Sequence, residues 1–108
     1  MKLLPKSLVK NIPTLDETAD MNIEDQFIYA KLFNPIGSGT WYISSFDSGE
    51  NMAFGFVCLG DSDSAELGYI SIDELESIRL PMGLKIERDL NFYKTPLIDI
   101  VNQIKGRN

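Results

Sequence analysis

Four stretches rich in β-forming residues follow one another between residues 27 and 72, and the short turns between them constrain the fold more than any other feature. They are FIYAKLFN (27–34), TWYISSFD (40–47), MAFGFVCLG (52–60) and ELGYISI (66–72). Connections as short as PIGSG, SGEN and DSDSA join antiparallel neighbours, because parallel strands need a crossover of a dozen or more residues. The sequence therefore predicts an antiparallel meander of four strands.

Helical patterns are predicted before and after this sheet. Leu8, Val9 and Ile12 fall at helical spacing ahead of Pro13, which predicts a short N-terminal helix. The polar stretch 14–26 has no clear period and predicts a loop or an irregular helical turn.

The sequence SIDE predicts that a helix begins directly after the fourth strand. In a capping box, the Ser71 hydroxyl accepts a hydrogen bond from the backbone N–H of Glu74, while the Glu74 side chain reaches back to the backbone of Ser71. The stretch LKIERDLNFY then predicts a further strand or sheet edge.

A C-terminal amphipathic helix is the last predicted element. Thr95 is its expected N-cap, Pro96 its first residue, and Gly106 follows its end. Its apolar residues recur at helical spacing: Leu97, Ile100, Val101 and Ile104.

Together these elements predict one α+β domain spanning residues 1–108. We expect an antiparallel meander sheet of four to five strands with two to three helices packed on one face. A chain of this length buries enough surface to fold without disulfides or metals. The single cysteine, Cys58, forms no internal disulfide, and the N-terminus contains no signal or membrane-spanning segment, so we expect a cytoplasmic protein.

Charge is distributed unevenly along the chain. Residues 16–76 contain thirteen acids and only Lys31 as a cation, a balance of −12, whereas the segments before and after them each carry +3. Nucleic-acid binding needs clustered Lys and Arg to neutralise phosphates, so direct binding to DNA or RNA is disfavoured. The acidic middle instead favours a basic protein partner.

Chemical sites are only weakly indicated. The loop DSDSAE offers carboxylates but lacks the glycine and terminal glutamate of a calcium loop, so a solvated turn is favoured over a metal site. The chain has no histidine to activate a nucleophile, and Cys58 lies in mid-strand among phenylalanines, where packing is the favoured role. We therefore assign no catalytic residue, no metal ligand and no cofactor. Glu66, Glu74 and Glu87 remain candidates for acid–base work only because they adjoin apolar residues.

Six fragments in the same order carry a family resemblance. They are LLPKSL, YAKLFNP, TWYISSFD, FGFV, ELGYISIDELESIR and GLKIERDLNF, which extend from residue 3 to about residue 98. In this combination the chain resembles the family called domain of unknown function 2958. The resemblance implies a small single-domain protein associated with bacterial plasmids, phages and integrative elements; the acidic DSDSAE loop lies outside the family pattern. It implies no activity.

The leading functional hypothesis is a non-enzymatic interaction module of such a mobile element, which presents an acidic surface to a basic protein and in one version inhibits a host defence or DNA-processing enzyme. The oligomeric state is left open. Candidate partner-binding residues are Asp47, Glu50, Asp61, Asp63, Glu66, Asp73 and Glu76.

Two alternatives remain open. One is a metal-dependent nucleic-acid-processing enzyme that uses carboxylates alone, with Arg79, Arg88 or Lys94 beside them. The other is a DNA-binding accessory that uses only the basic ends, namely Lys2, Lys6, Lys10, Lys105 and Arg107.

Overall fold

A computed structural model describes residues 2–106 of the chain, in which four α-helices and seven strands alternate with three short 3-10 turns. The helices are α1 (Lys6–Val9), α2 (Leu15–Thr18), α3 (Ile72–Ser77) and α4 (Leu97–Lys105). The strands are β1 (Phe27–Ile28), β2 (Ala30–Phe33), β3 (Thr40–Asp47), β4 (Met52–Cys58), β5 (Glu66–Ser71), β6 (Glu87–Arg88) and β7 (Thr95–Pro96). The 3-10 turns are Ile23–Asp25, Ser62–Ser64 and Pro81–Gly83.

Five of the strands form one antiparallel sheet in the order β5-β4-β3-β2-β6. Consecutive strands β2 to β5 pair as neighbours, so the predicted meander is confirmed. The short strand β6 adds to the outer side of β2, as the pattern in LKIERDLNFY indicated. The α+β class and the antiparallel sheet of five strands agree with the prediction.

The sheet separates two apolar cores, one on each face. The first core contains Ile43, Ala53 and Ile70 from the central strands, and α3 packs on it through Ile72 and Leu75. Residues of α1 pack on the same core. On the other face, the second core consists of Ile28, Tyr42, Phe56, Ala65, Leu97 and Ile100, and α4 supplies the last two. The helices thus cover both faces of the sheet, whereas the sequence predicted packing on one.

Two irregularities change which core a strand residue enters. The predicted strand 27–34 is interrupted at Tyr29, so that Ile28 belongs to the second core while Ala30 belongs to the first. In an unbroken strand these two side chains would lie on one face, because side chains alternate with a period of two.

A β-bulge in β3 has the same effect on the strand's second half. The register between β3 and β4 shifts between Ile43 and Ser45, leaving Ser44 without a partner in the ladder. The extra residue brings Phe46 to the face of Ile43, so Phe46 joins the first core and Ser45 turns to the opposite face.

The helix ends agree with the sequence in part. The Ser71 hydroxyl accepts a hydrogen bond from the backbone N–H of Glu74 (3.2 Å), as predicted for the N-cap of α3. The reciprocal bond of the predicted capping box, from the Ser71 backbone to the Glu74 side chain, is not formed among residues 2–106. Gly106 ends α4 in the left-handed conformation (φ 70°), also as predicted. The predicted N-cap of α4 is wrong, because Thr95 lies in β7 opposite Ile28 and its hydroxyl donates to the carbonyl of Tyr93 instead. Within residues 2–106, no helix is long and apolar enough to cross a membrane.

Candidate functional site

Strand β5 forms one outer edge of the five-stranded sheet. It pairs with β4 alone, and among residues 2–106 no further backbone hydrogen bond connects its outer side to another segment. Such an edge presents unpaired N–H and C=O groups that can pair with another extended chain. Near its middle, Gly68 leaves open space where a side chain would lie.

Three of the predicted partner-binding acids lie at the N-terminal end of β5. Asp61, Asp63 and Glu66 are all exposed. The Asp61 carboxylate accepts from the backbone N–H of Asp63 (3.0 Å), so it also shapes the turn. The ammonium group of Lys105 donates to the carbonyl of Asp63 (2.9 Å), which places one cation beside this end.

Three more of these acids lie at the C-terminal end of β5. Asp47 ends β3 and Glu50 lies in the β3–β4 turn, and both are near this end of β5 because Met52, which pairs with Asp47, also pairs with Ser71. The side-chain amide of Asn51 donates to the Asp73 carboxylate (2.6 Å), which connects the turn to α3. The structure therefore places six of the seven predicted acids at the two ends of one edge strand. A strand of six residues separates these ends by about 20 Å.

The seventh predicted acid, Glu76, has a different contact. Its carboxylate accepts the backbone N–H of Leu3 at 2.9 Å and is partly buried. Arg88 donates to the carbonyl of the same residue at 2.7 Å. These two bonds hold the N-terminal segment against the sheet, and this contact gives Glu76 a structural role.

A groove of about 460 Å³ runs beside β5 and combines acidic with apolar surface. Its walls include the carboxylates Asp61 and Glu66. Leu59 and Tyr69 also line it, although they are 66% and 73% exposed. Large apolar side chains this exposed, next to carboxylates, are suited to a partner that is both cationic and partly apolar.

The three glutamates singled out as candidates for acid–base work, which the metal-dependent alternative would need to bring together, do not meet. Glu66 lies on β5 and Glu87 on β6, at opposite edges of the sheet, and Glu74 lies exposed in the first turn of α3. Strands about 4.8 Å apart separate the two edges by roughly 19 Å. In the part of the chain that the structure describes, no three Asp, Glu, Cys or His side chains come together to hold a metal ion.

The two basic ends also lie apart. Lys6 belongs to α1 on the side of the first core, whereas Lys105 ends α4 on the side of the second core. The predicted contribution of Arg107 lies outside the described residues. A continuous basic face that joins these two helices is therefore not formed.

Sequence reasoning did not single out a buried polar group beneath the sheet's second face. Gln26, Ser44 and Ser45 are all buried, and the Ser44 hydroxyl donates to the Gln26 side-chain carbonyl at 2.8 Å. The available signal was the pair of serines in the middle of the apolar strand sequence YISSF.

Comparison with known proteins supports the family resemblance and adds no activity to it. Residues 3–104 match a family model described as "Protein of unknown function (DUF2958)". No curated protein and no solved structure gives a significant match. The match covers nearly the whole chain, which confirms the resemblance inferred from the six sequence fragments.

Proposed function

The chain belongs to the DUF2958 family of proteins of unknown function, and from its surface we propose that it is a non-enzymatic protein-interaction module. In this proposal, the module binds an extended, positively charged segment of a protein partner along the outer edge of β5. The observation that carries the proposal is the coincidence of an unpaired edge strand with acids at both of its ends and an acidic–apolar groove beside it.

In this proposal, hydrogen bonds between the backbone of β5 and the backbone of the partner segment supply the affinity. An extended peptide that adds to a sheet edge satisfies the strand's free N–H and C=O groups, and alternate side chains provide specificity. Leu59 and Tyr69 offer apolar contacts beside the edge, while Asp61 and Glu66 select for a basic side chain. The open space at Gly68 allows a partner side chain to approach the backbone closely.

Long-range electrostatics support the same choice of partner. The protein carries a net charge of −6, and its acids are concentrated in the central segment of the chain. Such a field attracts cationic surfaces and raises the rate of encounter, and it repels nucleic acids. We accordingly propose a basic protein as the partner and no direct contact with nucleic acid.

The biological setting is part of the proposal and comes from the family resemblance. We propose that the protein acts in the cytoplasm as an accessory of a bacterial mobile element. An extended basic segment of a host defence or DNA-processing enzyme would be a suitable target, because enzymes that bind nucleic acid expose Lys and Arg side chains for the phosphates.

The test is an NMR titration of the ¹⁵N-labelled full chain with a peptide of alternating lysine and valine that is as long as β5. We expect the amide signals of Glu66–Ser71 to shift and the affinity to fall as salt is added. A peptide of alternating glutamate and valine serves as the charge control. Unchanged β5 signals, or equal binding of both peptides, would contradict the proposal.

A pair of matched variants separates the effect of the groove carboxylates on binding from the effect of the protein's net charge. The double variant D61N/E66Q neutralises the groove and keeps a side-chain oxygen in the turn that can still accept the backbone hydrogen bond. The control E87Q/D99N changes net charge equally at exposed sites away from β5. If each exposed ion pair contributes about 0.2–1 kcal/mol, the groove variant should bind about 2- to 30-fold more weakly. Equal weakening in both variants would show that only net charge matters.

A further inference from the structure

An uncharged cavity lies on the second-core face of the sheet, between the polar segment that contains α2 and strands β3 to β5. Its volume is about 280 Å³. Its lining residues include Met21, Gln26, Ser45, Phe54, Leu67 and Tyr69. None of these residues carries a charge, although the chain as a whole contains 24% charged residues.

Ser45 gives this cavity a polar group that the protein leaves unused. The residue is 0% exposed, so it lies at the floor of the cavity. Its hydroxyl is the one buried side-chain oxygen or nitrogen within residues 2–106 that has no hydrogen-bond partner. A buried hydroxyl without a partner is unfavourable by about 1–3 kcal/mol, and native structures contain few such groups.

The neighbouring polar groups are bonded elsewhere and form no hydrogen bond with the Ser45 hydroxyl among residues 2–106. The Gln26 side-chain nitrogen donates to the Met21 carbonyl at 3.2 Å, which fixes the orientation of the amide. Its oxygen then accepts from the Ser44 hydroxyl at 2.8 Å. The bulge in β3 therefore places two adjacent serines in different situations, since Ser44 is paired and Ser45 is left free.

The lining indicates the chemistry of a ligand. The rings of Phe54 and Tyr69 meet edge to face, with centroids 5.3 Å apart and planes at 70°, and both line the cavity. Aromatic rings and a methionine thioether favour an aromatic partner. An engineered apolar cavity of about 150 Å³ holds benzene, so this cavity has room for a substituted ring or a fused pair.

We propose that this cavity binds a small, uncharged aromatic molecule whose polar substituent forms a hydrogen bond with the Ser45 hydroxyl. The ligand packs its ring against Phe54 and Leu67, which lie on the same face of β4 and β5. This site shares Tyr69 with the groove beside β5, but it does not depend on the proposed protein partner, because its lining is uncharged and its free hydroxyl lies on β3.

The experiment compares phenol with fluorobenzene, two single rings of nearly equal size of which only phenol has a hydroxyl. Each is titrated into the full chain with ¹³C-labelled methyl groups. We expect both probes to shift the methyl signals of Leu15, Met21, Ile23 and Leu67. Phenol should bind about two- to tenfold more tightly, which is the ratio expected from one net hydrogen bond.

The variant S45A then tests the role of the hydroxyl. Because this hydroxyl has no partner in the described part of the protein, its removal should leave the fold intact. Fluorobenzene should bind S45A as it binds the parent protein, and the preference for phenol should disappear. Any of four results would overturn the proposal. Neither probe shifts the methyl signals, or the shifts lie away from the cavity. Alternatively, both probes bind the parent protein equally, or S45A still prefers phenol.

Discussion

Substituting alanine for Gly55 tests the close approach of β3 and β4. A Cβ atom built at this position would lie 1.7 Å from the carbonyl oxygen of Tyr42 and 2.8 Å from its carbonyl carbon. Ordinary van der Waals contact begins near 3.4 Å, so the two backbones would have to separate locally by more than an ångström. Both atoms belong to the backbone of a central strand, and neither can rotate away.

The expected cost follows from the bonds and packing lost. Separating the strands breaks about two ladder hydrogen bonds, each contributing about 0.5–1.5 kcal/mol, and disturbs packing by a further 1–3 kcal/mol or so. We expect G55A to lose about 3–5 kcal/mol, a large part of the roughly 5–15 kcal/mol that stabilises a typical domain.

Gly68 provides the matched control because it lies directly opposite Gly55 in the β4–β5 register. A Cβ there meets nothing within 4 Å, and its φ is not in the left-handed region. We expect G68A to be neutral or to stabilise the protein by up to about 1 kcal/mol, because alanine restricts the unfolded chain.

Urea denaturation followed by Trp41 fluorescence measures both variants. Trp41 is the only tryptophan, is half-buried and packs against the first core. With a slope of about 1–3 kcal/mol per molar urea, the midpoint of G55A should fall by about 2 M while that of G68A is unchanged or higher. A G55A midpoint close to that of the parent protein would refute the contact geometry between these strands.

Three further outcomes are expected. In the absence of any ligand, S44A should lower the free energy of unfolding by about 1–3 kcal/mol, because it leaves the buried side-chain oxygen of Gln26 without its hydrogen bond. S45A should lower it by nothing, and equal losses of the two variants in urea denaturation would contradict the assigned bonding. Burial, and secondarily the electrostatic effect of the neighbouring Cys58, raises the pKa of Tyr42 above its usual value near 10. The contribution of Tyr42 to stability is therefore fully present below that pH and declines as pH rises through the folded-state pKa; Y42F should flatten this decline, and an unchanged alkaline profile would argue against it. R88A should destabilise the protein by about 1–2 kcal/mol, because it removes the 2.7 Å hydrogen bond to the backbone carbonyl of Leu3. Hydrogen exchange in the N-terminal segment should become faster, and unchanged exchange would show that other contacts hold this segment.

Local patterns in the sequence were sufficient for the elements that are determined by near neighbours in the chain. The alternation and turn residues around TWYISSFD predicted a strand with the same bounds as β3. The Ser71 cap and the glycine after α4 were predicted because a cap depends on residues within one helical turn. The order of the meander followed from the shortness of its turns.

Tertiary contacts decided the features that depend on residues distant in sequence. Threonine is favoured at helix N-caps, but Thr95 pairs with Ile28 and lies in β7. Strand pairing provides hydrogen-bond partners for its backbone within the folded protein. The same holds for the functional surfaces. Composition showed that the middle of the chain is acidic, but only the sheet order places six of those acids at the two ends of β5. Likewise, the serine pair was visible in the sequence, and only the bulge opposite Gly55 determines that Ser44 is bonded while Ser45 lies unpaired at the floor of a cavity.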